Sequence, residues 1–279
     1  MARNLRSKMP RADPLFVLDI SQATLDKFVE ETGQDAASAG VEEGACQVQV
    51  AKNAREVAEK ADIIITCLPT VKMVKDTFAP MIKEGSLPET LQSRFVDAPV
   101  SGGAVGAQAG KLSFMFGTDV DSEGLVDYLK SVLLLMGTKA WHMGGQGCGV
   151  SAKLANNYIL AINNIAVSEA LNMGREWGLD LHKLTELINS SRGHCWPVEV
   201  NNSVPGVVQG SPASKEYTPG CPVSMINKDL GLAMSGASDA KTPLLLAETA
   251  REAYNKVDGE YQGQDFSVVY QYLSRRSSA

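Results

Sequence analysis

The sequence predicts an α/β chain in which a mostly parallel sheet is followed by an all-α domain, the two joined by one long helix. Three observations predict it. Short β-rich runs alternate with helical stretches through the first half; that alternation stops for good after "MGGQGCG"; and the next thirty or so residues keep unbroken helical periodicity.

Taken in order, "LFVLDI" (15–20) reads as a strand and "SQATLDKFVEETG" as the helix after it. "NAREVAEKA" is helical, while "DIIITCLP" (62–69), "RFVDAPV" (94–100) and "KLSFMFG" (111–117) read as strands. "VSAKLANNYILAINNIAVSEALNMGREWG" then spans on the order of 40 Å as one helix. Three further amphipathic helices follow, over "DLHKLTELIN", "VSMINKDLGLAMSGASDA" and "PLLLAETAREAYNKV", with Pro/Gly/Ser-rich joints. The expected domains are 1–148 and 149–279.

The charge balance narrows the partners. A net charge of −6 without a Lys/Arg cluster argues against nucleic acid or an anionic membrane and leaves a small molecule. No apolar run approaches the roughly 20 residues of a membrane span. Cys46, Cys67, Cys148, Cys195 and Cys221 stand far apart with no C-x-x-C, and the histidines are equally scattered, so the spacing offers neither a metal site nor a disulfide framework. A reducing, intracellular compartment is expected.

Five stretches carry candidate chemistry. Asp19 ends the strand in "VLDIS", where an acid can accept hydrogen bonds from the adenosine ribose of NAD, or simply precede the helix "SQAT". In "TCLPT", Leu68 and Pro69 close a strand at the edge where open α/β sheets bind ligands, although a proline also ends strands for its own reasons. In "DAPVSGGAVGAQAG", Ser101 offers a hydroxyl while Gly102 and Gly103 bare backbone N–H groups to an anion such as a carboxylate, or form a tight turn. In "GGQGCGVSAKLANN", Lys153 and Asn157 lie four apart on one helix face behind spaced glycines, suited to a general acid/base and an amide on one substrate oxygen. In "NKDLGLA", Lys228 is a cofactor contact or half of a surface pair with Asp229.

"DAPVSGG", the glycine–lysine–asparagine spacing from Gly145 to Asn157, and "KDLGLA", in that order, resemble the β-hydroxyacid dehydrogenase family over nearly the whole chain. The resemblance implies a Rossmann-like first domain that binds NAD and a helical second domain for substrate and dimerisation. It makes Lys153 the catalytic lysine, gives substrate to Ser101, Gly102, Gly103 and Asn157, and gives the cofactor to Asp19, Leu68, Pro69 and Lys228. "CWPVEVNNSVPGV", "SPAS" and "DFSVVYQYL" narrow the substrate to a small hydroxyacid of valine degradation, which implies the mitochondrial matrix, with the cytoplasm as the alternative; the apolar long helix suits the interface of a homodimer or homotetramer, or packing on the chain's own helices. Other family members reduce semialdehydes, and a catalytically silent oligomerisation scaffold is the reading from another class.

The chain also departs from the family. "MARNL" matches the helix that follows the family's G-x-G-x-x-G loop, and a second strand is expected but missing between "APMIKEGSLPETLQS" and "RFVDAPV". The sheet is therefore expected to be incomplete and NAD binding impaired. Arg192, His194 and Cys221, the last where an aromatic is usual, change the expected pocket wall.

Overall fold

Apolar runs that give way to amphipathic stretches produce strand then helix twice over. After α1 (Ala2–Lys8), β1 (Leu15–Val17) leads into α2 (Gln22–Ser38), and β2 (Val48–Val50) leads into α3 (Ala54–Lys60). This is a computed structural model, which describes residues 1–38, 46–68, 70–80, 95–119, 123–218 and 220–277. β1 and β2 pair in parallel, Leu15 opposite Val48 and Val17 opposite Val50, as a strand–helix–strand crossover requires. The entry to α3 is a reciprocal cap: the Asn53 side chain accepts the Glu56 N–H, and the Glu56 carboxylate accepts the Lys52 N–H. The Thr70 hydroxyl starts α4 (Val71–Phe78) in the same way, accepting the Met73 N–H.

Residues 62–68 depart from the expected strand. They are extended in sequence pattern but have no strand partner among the described residues, and a strand without a ladder is not one. The expected gap before Arg94 lies outside the described residues.

Next come β3 (Val100–Ser101), α5 (Gly103–Gln108), β4 (Leu112–Phe116), α6 (Glu123–Leu134) and β5 (Gly137–His142), with sheet order β3-β4-β5. β3 runs antiparallel to β4, Val100 opposite Phe114 and Ser101 opposite Ser113. The strand expected over 94–100 shrinks to this pair and one bridge between Asp97 and Gly117. Pro99 stands between them, and having no N–H it cannot extend the ladder. In β4 the alternation is clean: Leu112, Phe114 and Phe116 are buried and the residues between them are not. The α/β class with a parallel Rossmann-like pair and a helical second half thus holds.

Two compact units divide the chain. The first is Met1–Val96, Val100–Phe114 and Thr118–His142, and the second is Asp97–Pro99, Met115–Gly117 and Met143–Ala279. The second unit is dominated by α7 (Cys148–Glu176), whose 29 residues span about 43 Å. Around it lie α8 (Leu181–Asn189), α9 (Trp196–Glu199), α10 (Val223–Asp239), α11 (Ala247–Glu260) and α12 (Val269–Ser277). Short 3₁₀ turns occupy Pro212–Lys215 and Phe266–Val268.

Its core joins Ala161 of α7 to Ile226 and Leu230 of α10, Tyr254 and Val257 of α11, and Phe266. A polar pin crosses that core: the Asn164 amide donates to the Tyr254 hydroxyl at 3.1 Å and to the Phe266 carbonyl at 3.0 Å, and the Tyr254 hydroxyl donates to the Ala161 carbonyl at 2.9 Å. After Pro212–Lys215, Glu216 and Tyr217 both adopt left-handed φ, 55° and 59°. The buried Tyr217 hydroxyl donates to the Ser203 carbonyl at 3.0 Å. Among the described residues no helix is long and apolar enough to cross a membrane.

Candidate functional site

The site builds from the start of α7. Gly147 is its N-cap at φ 90°, a left-handed conformation that glycine adopts without strain and that turns the chain sharply into the helix. Lys153 follows within the first two turns and Asn157 one turn later, so both project from the same face. Lys153 is half-buried, and its amine has no hydrogen bond or ion pair among the described residues.

Asn157 is held instead. Its amide donates to Asp229 Oδ2 at 2.7 Å, while the other oxygen of Asp229 pairs with the Lys228 ammonium at 3.2 Å. Asp229 is buried and Lys228 half in solvent, so one carboxylate from α10 fixes the Asn157 amide and tethers Lys228 at the surface. Cys221 lies within electrostatic reach of the same groups. Burial, with the negative charges of Asp265 and Asp229 adding to it, pushes its thiol up to about 11, against the pull of Lys153 and Lys228. Its backbone N–H donates to Asp265 Oδ2 at 2.7 Å, and a β-carbon at Gly220 would sit 2.1 Å from that oxygen, so the loop before α10 is seated on a buried acid. The structure therefore brings Lys153, Asn157, Lys228, Asp229 and Cys221 together in the second unit.

The other candidates fall in the first unit. Asp19 follows β1 and is exposed; one carboxylate oxygen accepts the Ser21 N–H at 2.8 Å and the other has no partner among the described residues. Leu68 is exposed at the end of the unpaired run, and Pro69 lies outside the described residues. Ser101 ends β3, exposed, and Gly102 and Gly103 follow at φ 128° and 59°. A β-carbon on Gly102 would approach Leu112 Cδ2 to 3.1 Å. The two exposed glycines thus turn the chain into α5.

Two departures noted in the sequence, Arg192 and His194, line a separate cavity of about 420 Å³ with Cys195 and Asn163. There the His194 ring nitrogen Nε2 meets Glu199 Oε2 at 3.1 Å.

Sequence reasoning missed Asp97. Its carboxylate accepts the Gly147 N–H at 2.6 Å and the Val150 N–H at 2.8 Å, capping α7 from far away in the chain. Side-chain caps contribute about 0.5–2 kcal/mol. The available signal was the third glycine, Gly149, inside the first turn of a helix, where only a close neighbour would require it.

These features and the comparisons with known proteins define a class: a nicotinamide-dependent dehydrogenase of small hydroxyacids. Residues 147–273 match the family model described as "NAD-binding of NADP-dependent 3-hydroxyisobutyrate dehydrogenase", and residues 86–145 match that of the "NAD binding domain of 6-phosphogluconate dehydrogenase". The probable mitochondrial 3-hydroxyisobutyrate dehydrogenase of Dictyostelium discoideum is 39% identical, the match covering 94% of this chain and 84% of that one. The mitochondrial enzyme of that name from Mus musculus is 36% identical over 98% of this chain and 83% of its own. Among solved structures, 3-hydroxyisobutyrate dehydrogenase of Mycobacterium tuberculosis with L-serine superposes with a TM-score of 0.75 at 29% identity, covering 93% of this chain and 98% of that one. The chain belongs to the 3-hydroxyisobutyrate dehydrogenase family. The match to the mouse protein runs over 298 positions, more than the 279 residues of this chain, so at least 19 of them have no counterpart here.

Proposed function

We propose that this protein oxidises 3-hydroxyisobutyrate to methylmalonate semialdehyde with NAD, as its family membership implies. The observation that carries the reading is the pairing on α7: a half-buried Lys153 amine with no hydrogen bond or ion pair among the described residues, one turn from an Asn157 amide held by Asp229. A free amine can exchange a proton with substrate, and a locked amide can orient the oxygen that loses it.

In this mechanism Lys153 Nζ takes the proton of the primary hydroxyl while Asn157 holds that end of the substrate. Ser101 and the bared N–H groups of Gly102 and Gly103 hold the carboxylate. Asp19, Leu68, Pro69 and Lys228 are the residues that would hold NAD, which when bound supplies the acceptor for the hydride leaving the same carbon. Lys153 then carries the released proton to water.

This reading assigns residues 1–148 to the cofactor and 149–279 to substrate and dimerisation, with a homodimer or homotetramer as the working assembly. The mitochondrial names of relatives support a matrix location. The test is NADH formation with 3-hydroxyisobutyrate beside a panel of other small hydroxyacids. Turnover by the chain, with Lys153→Ala lowering kcat by roughly 10²–10⁴-fold, supports the reading. Preference for another hydroxyacid, or a Lys153→Ala variant as fast as the parent, overturns it.

A further inference from the structure

Helix α7 has no cap within its own sequence, because the residue at its N-cap, Gly147, has no side chain to offer its first N–H groups. Asp97 supplies the missing acceptors, one oxygen to Gly147 and the other to Val150. The carboxylate is seated against bare backbone on two sides. A β-carbon at Gly149 would stand 2.8 Å from Asp97 Oδ2 and 2.5 Å from the Met115 carbonyl oxygen, and one at Gly117 would stand 2.6 Å from Asp97 Oδ1 and 2.4 Å from the Gly145 carbonyl oxygen. The Asp97 backbone is fixed too, its carbonyl accepting the Gly117 N–H at 2.9 Å.

Two bonds from one planar carboxylate to N–H groups three residues apart define both the axial position and the rotation of a helix. Lys153 lies three residues beyond Val150 and Asn157 seven, along one face. A lysine amine stands well outside the backbone cylinder, so a 20° turn of the helix would carry it about 2–3 Å.

We propose that Asp97 is a positioning residue for the dehydrogenase reaction: it sets the register and rotation of the first turns of α7, and through them the placement of the Lys153 amine and the Asn157 amide. The proposal rests on the activity inferred above. A misplacement of about 1 Å in a reacting geometry lowers rates by about 100-fold.

The test compares the full chain with Asp97→Ala and Asp97→Asn. Amide hydrogen exchange over residues 147–153 should rise roughly tenfold in Asp97→Ala, with that over 160–176 unchanged, and Asn, keeping one acceptor, should restore most of the protection. In Asp97→Ala kcat should fall about 10- to 100-fold while KM for NAD stays within about twofold. The deuterium isotope effect with substrate labelled at the reacting carbon should grow, because chemistry becomes limiting, and Asp97→Asn should recover kcat to within a few-fold.

Unchanged exchange over 147–153 overturns the proposal. So does a loss of kcat that follows the loss of folded protein with the isotope effect unmoved. If the unsubstituted chain forms no NADH, the activity reading fails by itself. The placement is then decided by the exchange together with the acetylation rate of Lys153 relative to Lys228, and a ratio unchanged in Asp97→Ala overturns it.

Discussion

In the second unit Tyr254, Phe266, Ile226, Leu230 and Val257 are each at most 2% exposed and close on one another around α7. In the first, Ile63, Ile65 and Leu68 stand 37–42% exposed along a run as apolar as any in the chain, and Ile20 is almost wholly in solvent. The difference is one of architecture. A helix completes its backbone bonds internally and needs only a neighbour for its apolar face, which the helices packed on α7 supply. A parallel strand needs a ladder on its edges as well as cover on its faces, and the run over 62–68 has no ladder partner among the described residues. The same hydrophobicity is therefore core in one unit and surface in the other.

The largest test of that contrast is Tyr254→Ala. It removes a ring that is fully buried together with the pin to Asn164 and Ala161, and it should destabilise the second unit by about 3–5 kcal/mol in a urea melt, leaving any separate transition of the first unit in place. A uniform shift of all transitions would break the division into two units. Leu112→Ala probes the buried stretch of β4 that lies in the first unit and should lower stability by about 2–4 kcal/mol. If it does not, that unit lacks even this core.

Thiol labelling sharpens the comparison. The Cys221 thiol, raised from the ordinary value near 9 to about 11, has about a hundredfold less thiolate at pH 8, so iodoacetamide should modify it far more slowly than exposed Cys67. Because the folded state holds that proton more tightly than the unfolded chain, the associated stability is complete below pH 9 and is lost as pH rises through 11. Labelling of both cysteines at one rate would place Cys221 in solvent. The smallest effect is expected from Ile65→Ser, within about 0.5 kcal/mol, as for an ordinary surface substitution. A loss above about 2 kcal/mol would show that the run is core after all.

The helical half was legible because its signals are local. The periodicity of α7 and the four-residue spacing of Lys153 and Asn157 can be read from adjacent letters, and the structure keeps both. "KLSFMFG" was equally legible as β4, since alternation within five residues records which face is buried. "DIIITCLP" misled because its apolar content reports a demand for partners, and whether a partner exists is decided elsewhere in the chain. Asp97 was invisible for a related reason. Its role is defined by Gly147 and Val150, which no spacing rule connects to it.

Glu216 and Tyr217 carry one more consequence. Two consecutive L-residues in the left-handed region each carry roughly 1–2 kcal/mol of steric penalty, which the burial of the Tyr217 ring and its bond to Ser203 must outweigh. The two positions therefore differ in mutational freedom. Residue 217 is confined to a side chain that can reach Ser203, whereas at 216 glycine or asparagine would relieve the backbone and forfeit nothing buried, so drift at this corner should be one-sided.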